Sequence, residues 1–65
     1  MKATYDPEVD VLRMLLSNAA IEESDEGKPG VILDYDKDGN SAGLEIHDAS
    51  NRVSNPRSVE YAVAG

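Results

Sequence analysis

The sequence predicts a small, mainly β protein: an antiparallel sheet built from hairpins, with a short C-terminal helix. Three observations predict it. Residues 31–46 alternate with a period of two around an Asp38-Gly39 dipeptide. Turn formers at Asp6-Pro7, Asp25 to Gly30, Asp38-Gly39 and Asn55-Pro56 cut the chain into pieces too short for long helices. With 65 residues the chain is one domain at most, and it has no cysteine to staple it.

The middle hairpin is the clearest element. Val31, Leu33 and Tyr35 alternate with Ile32, Asp34 and Asp36. A type I′ turn centred on Asp38-Gly39, with positive φ at both residues, sets Lys37 opposite Asn40. Tyr35 then pairs with Ala42, Leu33 with Leu44 and Val31 with Ile46, all on one face. A one-residue slip would mix the faces, so the apolar pattern itself selects the register. Leu33 and Leu44 are expected to be buried, and Asp34, Asp36 and Glu45 to face solvent.

The first seventeen residues admit two readings. Asp6, Pro7 and Glu8 resemble a helix start, after which Val9, Leu12 and Leu16 would share a helical face. Alternatively, Ala3 to Asp6 and Asp10 to Leu16 form a hairpin around Pro7-Glu8, with Leu12, Met14 and Leu16 on one face. Val11, Arg13 and Leu15 would then face the other way. The residue-level signals favour the helix. Further on, residues 19–24 read as a strand, Asp25 to Gly30 as a loop, and Asp48 to Val53 as one helical turn capped by Asp48. Asn55-Pro56 reads as a second helix start, with Val59, Ala62 and Val63 as its stripe. The chain thus divides into a β-rich domain, 1–53, and a helical tail, 54–65, too short to hold a helix unless it docks.

Three blocks in this order carry a resemblance: T-Y-D-P-E-V-D-V-L at 4–12, G-V-I-L-D-Y-D-K-D-G-N at 30–40, and G-L-E-I-H-D-A-S-N-R-V at 43–53. Together they resemble the short bacterial proteins grouped as domain of unknown function 2283, over residues 2–53. The resemblance implies strands rather than a helix for the first segment, which brings the sheet to about five strands. It carries over no catalytic residue. For function it implies a companion of a compact, toxin-like partner.

Charge narrows the classes further. Thirteen acids against six bases give a net charge of −7, and no basic stripe exists for a phosphate backbone. Nucleic acid is excluded as a partner. Residues 1–48 carry −8 and residues 49–65 carry +1, a distribution that suits a basic protein partner or contact between the tail of one copy and the body of another. The plainer reading is that the charge keeps a small protein soluble. No apolar run approaches a membrane span or a signal-peptide core, so the expected location is the cytoplasm.

Few constellations could carry chemistry. Asp34, Asp36, Asp38 and Gly39 followed by Glu45 match the fixed positions of a calcium-binding EF-hand loop, with Asn40 supplying a carbonyl. The flanks do not suit that motif, because Pro29-Gly30 leaves only three residues for an entering helix. Weak calcium binding is therefore the alternative function, and an acidic solvated face around a turn the plainer reading. Asp6, Glu8 and Asp10 could act as acid and base only in a pocket that nothing predicts. His47 has no hydroxyl nucleophile at a recognisable spacing and reads as a surface imidazole. Gly27-Lys28-Pro29-Gly30 lacks phosphate-loop spacing and reads as turn chemistry. No catalytic residue and no cofactor is expected.

The expected mode of action is protein–protein contact. If the first segment is a hairpin, Val11, Leu15 and Ile32 lie outside the main apolar face. They need cover from the tail stripe containing Val59 and Val63, from a second copy, or from both. A homodimer using these five residues is the expectation.

Overall fold

The computed structural model describes all 65 residues. Five strands and one helical turn follow in chain order: β1 (Lys2–Asp6), β2 (Val11–Leu15), β3 (Glu23–Lys28), β4 (Val31–Tyr35), β5 (Ser41–His47) and α1 (Ala49–Arg52). All pairings are antiparallel, in the spatial order β1-β2-β5-β4-β3. Two local units therefore meet at one seam: the β1–β2 hairpin joins the β3–β4–β5 meander where β2 pairs with β5. The connection 16–22 crosses the sheet end, and the Leu16 and Ser17 N–H groups both donate to the Ala42 carbonyl, at 2.8 and 3.2 Å.

The first segment is a hairpin, as the resemblance implies and against the residue-level helix reading. Pro7 lies in the turn, where the Asp6 carboxylate accepts the Glu8 N–H at 3.0 Å. Asp10 closes the turn in the left-handed region with φ 57°, one of two non-glycine residues there. Asp and Asn tolerate that region better than other side chains. Val11 and Leu15 point to one face and Leu12 and Met14 to the other, so β2 is apolar on both sides. That doubling mimics a helical stripe.

β4 and β5 form the expected hairpin around a different turn. The Gly39 N–H donates to the Asp36 carbonyl at 3.1 Å and the Asp36 N–H to the Asn40 carbonyl at 2.9 Å. Only Gly39 has positive φ, at 80°, so this is a three-residue loop and not a type I′ turn centred on Asp38-Gly39. The Asp36 carboxylate stiffens it by accepting the Asp38 and Asn40 N–H groups, each at 2.9 Å. Tyr35 consequently pairs with Ser41 instead of Ala42, and Ala42 becomes the extra residue of a bulge. The two irregularities cancel. Leu33 still pairs with Leu44, and Val31 with Ile46.

β3 corrects the expected boundaries. The strand begins at Glu23 and runs to Lys28 through residues assigned to a loop, with a bulge between Asp25 and Lys28. All six of its residues are exposed. Such an edge strand carries no hydrophobic period, and its acids discourage pairing with foreign strands. The true turn is Pro29-Gly30, with Gly30 at φ 80°.

The short helix is α1, four residues within the part assigned to the β-rich domain. The tail 54–65 is not helical. Asn55-Pro56 makes only one turn, in which the Asn55 side chain accepts the Arg57 N–H at 3.0 Å. Pro56, Arg57 and Val59 lie along Ala3, Tyr5 and Leu12, so the tail runs over the apolar side of the β1–β2 hairpin.

Each face has its own character. One carries two rows, Tyr5-Leu12-Ile46-Val31 and Ala3-Met14-Leu44-Leu33, with no charge among the eight. The other mixes Val11, Leu15 and Ile32 with Arg13, Asp34 and Glu45. The molecule is thin, 35 × 32 × 18 Å, and its only buried apolar side chains are Leu12, Ala42 and Ala49. Leu33, expected to be buried, is 37% exposed, in a sheet that forms a single layer.

Candidate interaction surfaces

Asp10 is the best-connected side chain. Its Oδ1 accepts the Tyr5 hydroxyl at 2.7 Å and the Ser50 N–H at 3.0 Å, and its Oδ2 accepts the Ser50 hydroxyl at 2.7 Å. The Ala49 N–H also donates to the Asp10 carbonyl at 3.1 Å. The carboxylate thus caps α1 from the first hairpin, satisfying donors that a helix start leaves open. Asp48 occupies the ordinary capping position but is left-handed and makes no side-chain cap, contrary to expectation. At the other end of α1 the Arg52 guanidinium donates to the Pro29 carbonyl at 2.8 Å and lies against Gly30. One helical turn therefore clasps both hairpin units.

The latch polarises its members. Hydrogen bonds from the Ser50 hydroxyl and then from Tyr5 hold the Asp10 carboxyl below its ordinary value of 3.8, against the pull of partial desolvation. Tyr5 moves up from 10.0, first through its bond to Asp10, then through desolvation and the Asp10 charge, while Arg57 opposes the shift. Arg57 sits 5.6 Å from the Tyr5 ring centre, a cation–π contact that ties the tail to the sheet. The sign for Asp10 is that of a depressed carboxylate. Its stabilisation is full above the unfolded value near 4 and disappears as pH falls through the folded value. Asp10→Asn is expected to lower the melting temperature at neutral pH and to flatten its decline below about pH 4. Melting curves followed by circular dichroism from pH 7 to about pH 2 check this; an unaltered acid limb would contradict the latch.

Asp34 is the opposite case. It is 2% exposed, although expected in solvent. It shares a row with Leu15, Gly43 and Ser24. Gly43 has no side chain, and the Asp34 carboxylate lies over it, with Oδ2 3.5 Å from the place a Cβ would take. Oδ1 accepts the Ser24 hydroxyl at 2.6 Å, and Oδ2 has no partner. Ser24 is exposed on an edge strand, where substitution is ordinarily harmless. Ser24→Ala should nevertheless cost about 1–3 kcal/mol, because it strips a buried carboxylate of its hydrogen bond. Urea denaturation measures this, and a loss below half a kcal/mol, the ordinary surface level, would contradict it.

The expected calcium ligands are dispersed. Asp34 is under Ser24, Asp36 is engaged by turn amides, Asp38 is exposed at the tip, and Glu45 stands between Arg13 and Ile32. No helices flank Asn40 and its neighbours, and no three acidic or imidazole side chains are placed to share an ion. The expected interface residues are also divided. Val11, Leu15 and Ile32 are half-buried on the mixed face, whereas Val59 borders the apolar face and Val63 is 78% exposed. His47 is exposed opposite Val11, as strand parity requires. The latch itself was missed, because Asp10 and Ser50 lie 40 residues apart and no local spacing links them.

What remains open to other molecules is one charge-free apolar face and one acid-rich edge. Along that edge Glu22, Glu23, Asp25 and Asp36 border a groove with Tyr35 and Lys37. Fold and surfaces together define a small protein built on one five-stranded antiparallel sheet. A family model described as a protein of unknown function, DUF2283, matches residues 2–50, and the chain belongs to that family. No match was found among curated proteins or among solved structures. Both halves of the latch, Tyr5 with Asp10 and Ala49 with Ser50, lie within the matched residues.

Proposed function

We propose that this protein acts by protein–protein contact and not by catalysis, with a basic protein as its partner. The observation that carries this reading is the sorting of side chains. Apolar groups gather without charge on one face, while acids concentrate on the exposed β3 edge. The net charge of −7 supports attraction of a basic partner to that edge. Asp10, the most engaged carboxylate, is occupied in capping α1, which argues for a structural role.

Titration with poly-L-lysine at low salt, followed calorimetrically, tests the reading. Binding should weaken steeply as salt is raised. It should also be lost when Glu22, Glu23, Asp25 and Glu26 are changed to Gln. The same loss from neutralising Asp6 and Glu8 at the opposite sheet edge would show that diffuse charge alone is at work, and would overturn the β3 assignment.

A further inference from the structure

We propose that the apolar face is a homodimer interface, on which a second copy of the chain packs face to face over Met14, Leu33 and Leu44. The proposal rests on the protein-contact reading above and names the occupant of the apolar face. Stable domains are built from at least two layers around a core, and this chain has one layer. Pro56, Arg57 and Val59 of the tail lie on the side of the face near Ala3, Tyr5 and Leu12. Met14 and Leu44 are half-buried and Leu33 is 37% exposed, so the single layer leaves this row short of full burial.

Three arguments select a second copy. The first is timing. With three buried apolar side chains and no disulfide, the sheet needs its second layer in order to be stable, before it meets any other protein. Only another copy is present whenever the chain is made. The second is charge. Two chains of −7 repel wherever acids meet, yet the eight residues of this face carry no charge. A basic partner, in turn, has nothing to pair with there. The third is size. The whole broad side of the molecule, tail included, measures 35 × 32 Å, so sheet and tail together can supply the roughly 800 Å² per partner of a standard interface. A two-fold axis through the face would stack the sheets about 10 Å apart. Both β3 edges and both mixed faces would stay outside. The interface is thus not the Val11, Leu15 and Ile32 surface, which Arg13, Glu45 and Asp34 interrupt.

Sedimentation equilibrium of the full chain at tens of micromolar should give twice the chain mass of 7.0 kDa. The melting temperature should rise with protein concentration, a readout that needs no variant. Leu33→Lys should return the mass to that of one chain and lower the melting temperature, because the second layer is lost, whereas Ile32→Lys on the opposite face should leave the dimer intact. Dissociation by Ile32→Lys but not by Leu33→Lys would overturn the assignment of the face. A wild-type monomer with concentration-independent melting would overturn the dimer. If that monomer binds the apolar dye anilinonaphthalene sulfonate, the face is open to a different protein and the protein-contact reading survives. If it does not, that reading falls as well.

Discussion

Leu12→Ala is expected to leave the chain largely unfolded at room temperature. Leu12 is 7% exposed and is the one large aliphatic side chain in the buried set. It stands between Tyr5 on β1 and Ile46 on β5, so it fills the seam between the two local units and meets the tail. Removing a buried leucine side chain costs about 2–5 kcal/mol. A core in a chain this short supplies roughly 3–5 kcal/mol. The loss is comparable to the whole. Urea unfolding followed by circular dichroism decides it, and a cooperative transition with a midpoint close to wild type would contradict the placement of Leu12.

Gly43→Val is expected to break the seam from the backbone side. A Cβ on Gly43 would lie 2.9 Å from the Met14 carbonyl oxygen, and backbone cannot move aside as a flexible side chain can. The added methyls would also press on Asp34 and Leu15, both within 4 Å of that position. Overpacking of this kind costs about 1–3 kcal/mol, and here it also disturbs a buried carboxylate. Gly27 supplies the control. Nothing lies within 4 Å of a Cβ there, so Gly27→Ala should unfold at the wild-type urea concentration or slightly above it. Equal stability of the Gly43 and Gly27 variants would remove the case for close β2–β5 approach.

How legible each element was depends on where its information resides. The β4–β5 hairpin was readable because its faces differ and its turn residues are specific, and the register survived an error in turn type. β2 was not readable alone. It is central and apolar on both faces, so Val11, Leu12, Met14 and Leu15 lose the alternation that marks a strand with one wet side. β3 carried little signal: the strand read at 19–24 meets it only at Glu23 and Ser24, and Asp25 and Lys28 have no apolar period to mark them and are held by the ladder that β4 offers. The Asn55-Pro56 helix signal was genuine turn chemistry, but the tail does not bury Val59 and Val63, and an undocked helix of that length does not form. Asp34 was misplaced because its burial depends on Gly43 of the neighbouring strand, a vacancy visible only after pairing. The candidate surfaces followed the same rule. Acids and apolar residues could be counted from the sequence, whereas their separation onto different sides had to await the strand order.

The distance along the chain between Asp10 and Ser50 also sets an order of events during synthesis. The β1–β2 hairpin and the β3–β4–β5 meander each join neighbours in sequence and can form as soon as their residues are free. The seam and the latch cannot. Asp10 waits for a partner made 40 residues later, and at about 5–20 residues per second that wait lasts for seconds. Until β5 is made, β2 has one unpaired edge and two apolar faces in water. The nascent chain is most vulnerable to aggregation and proteolysis in that interval, which β5 ends by pairing with β2 and which Ala49 and Ser50 seal by closing on Asp10.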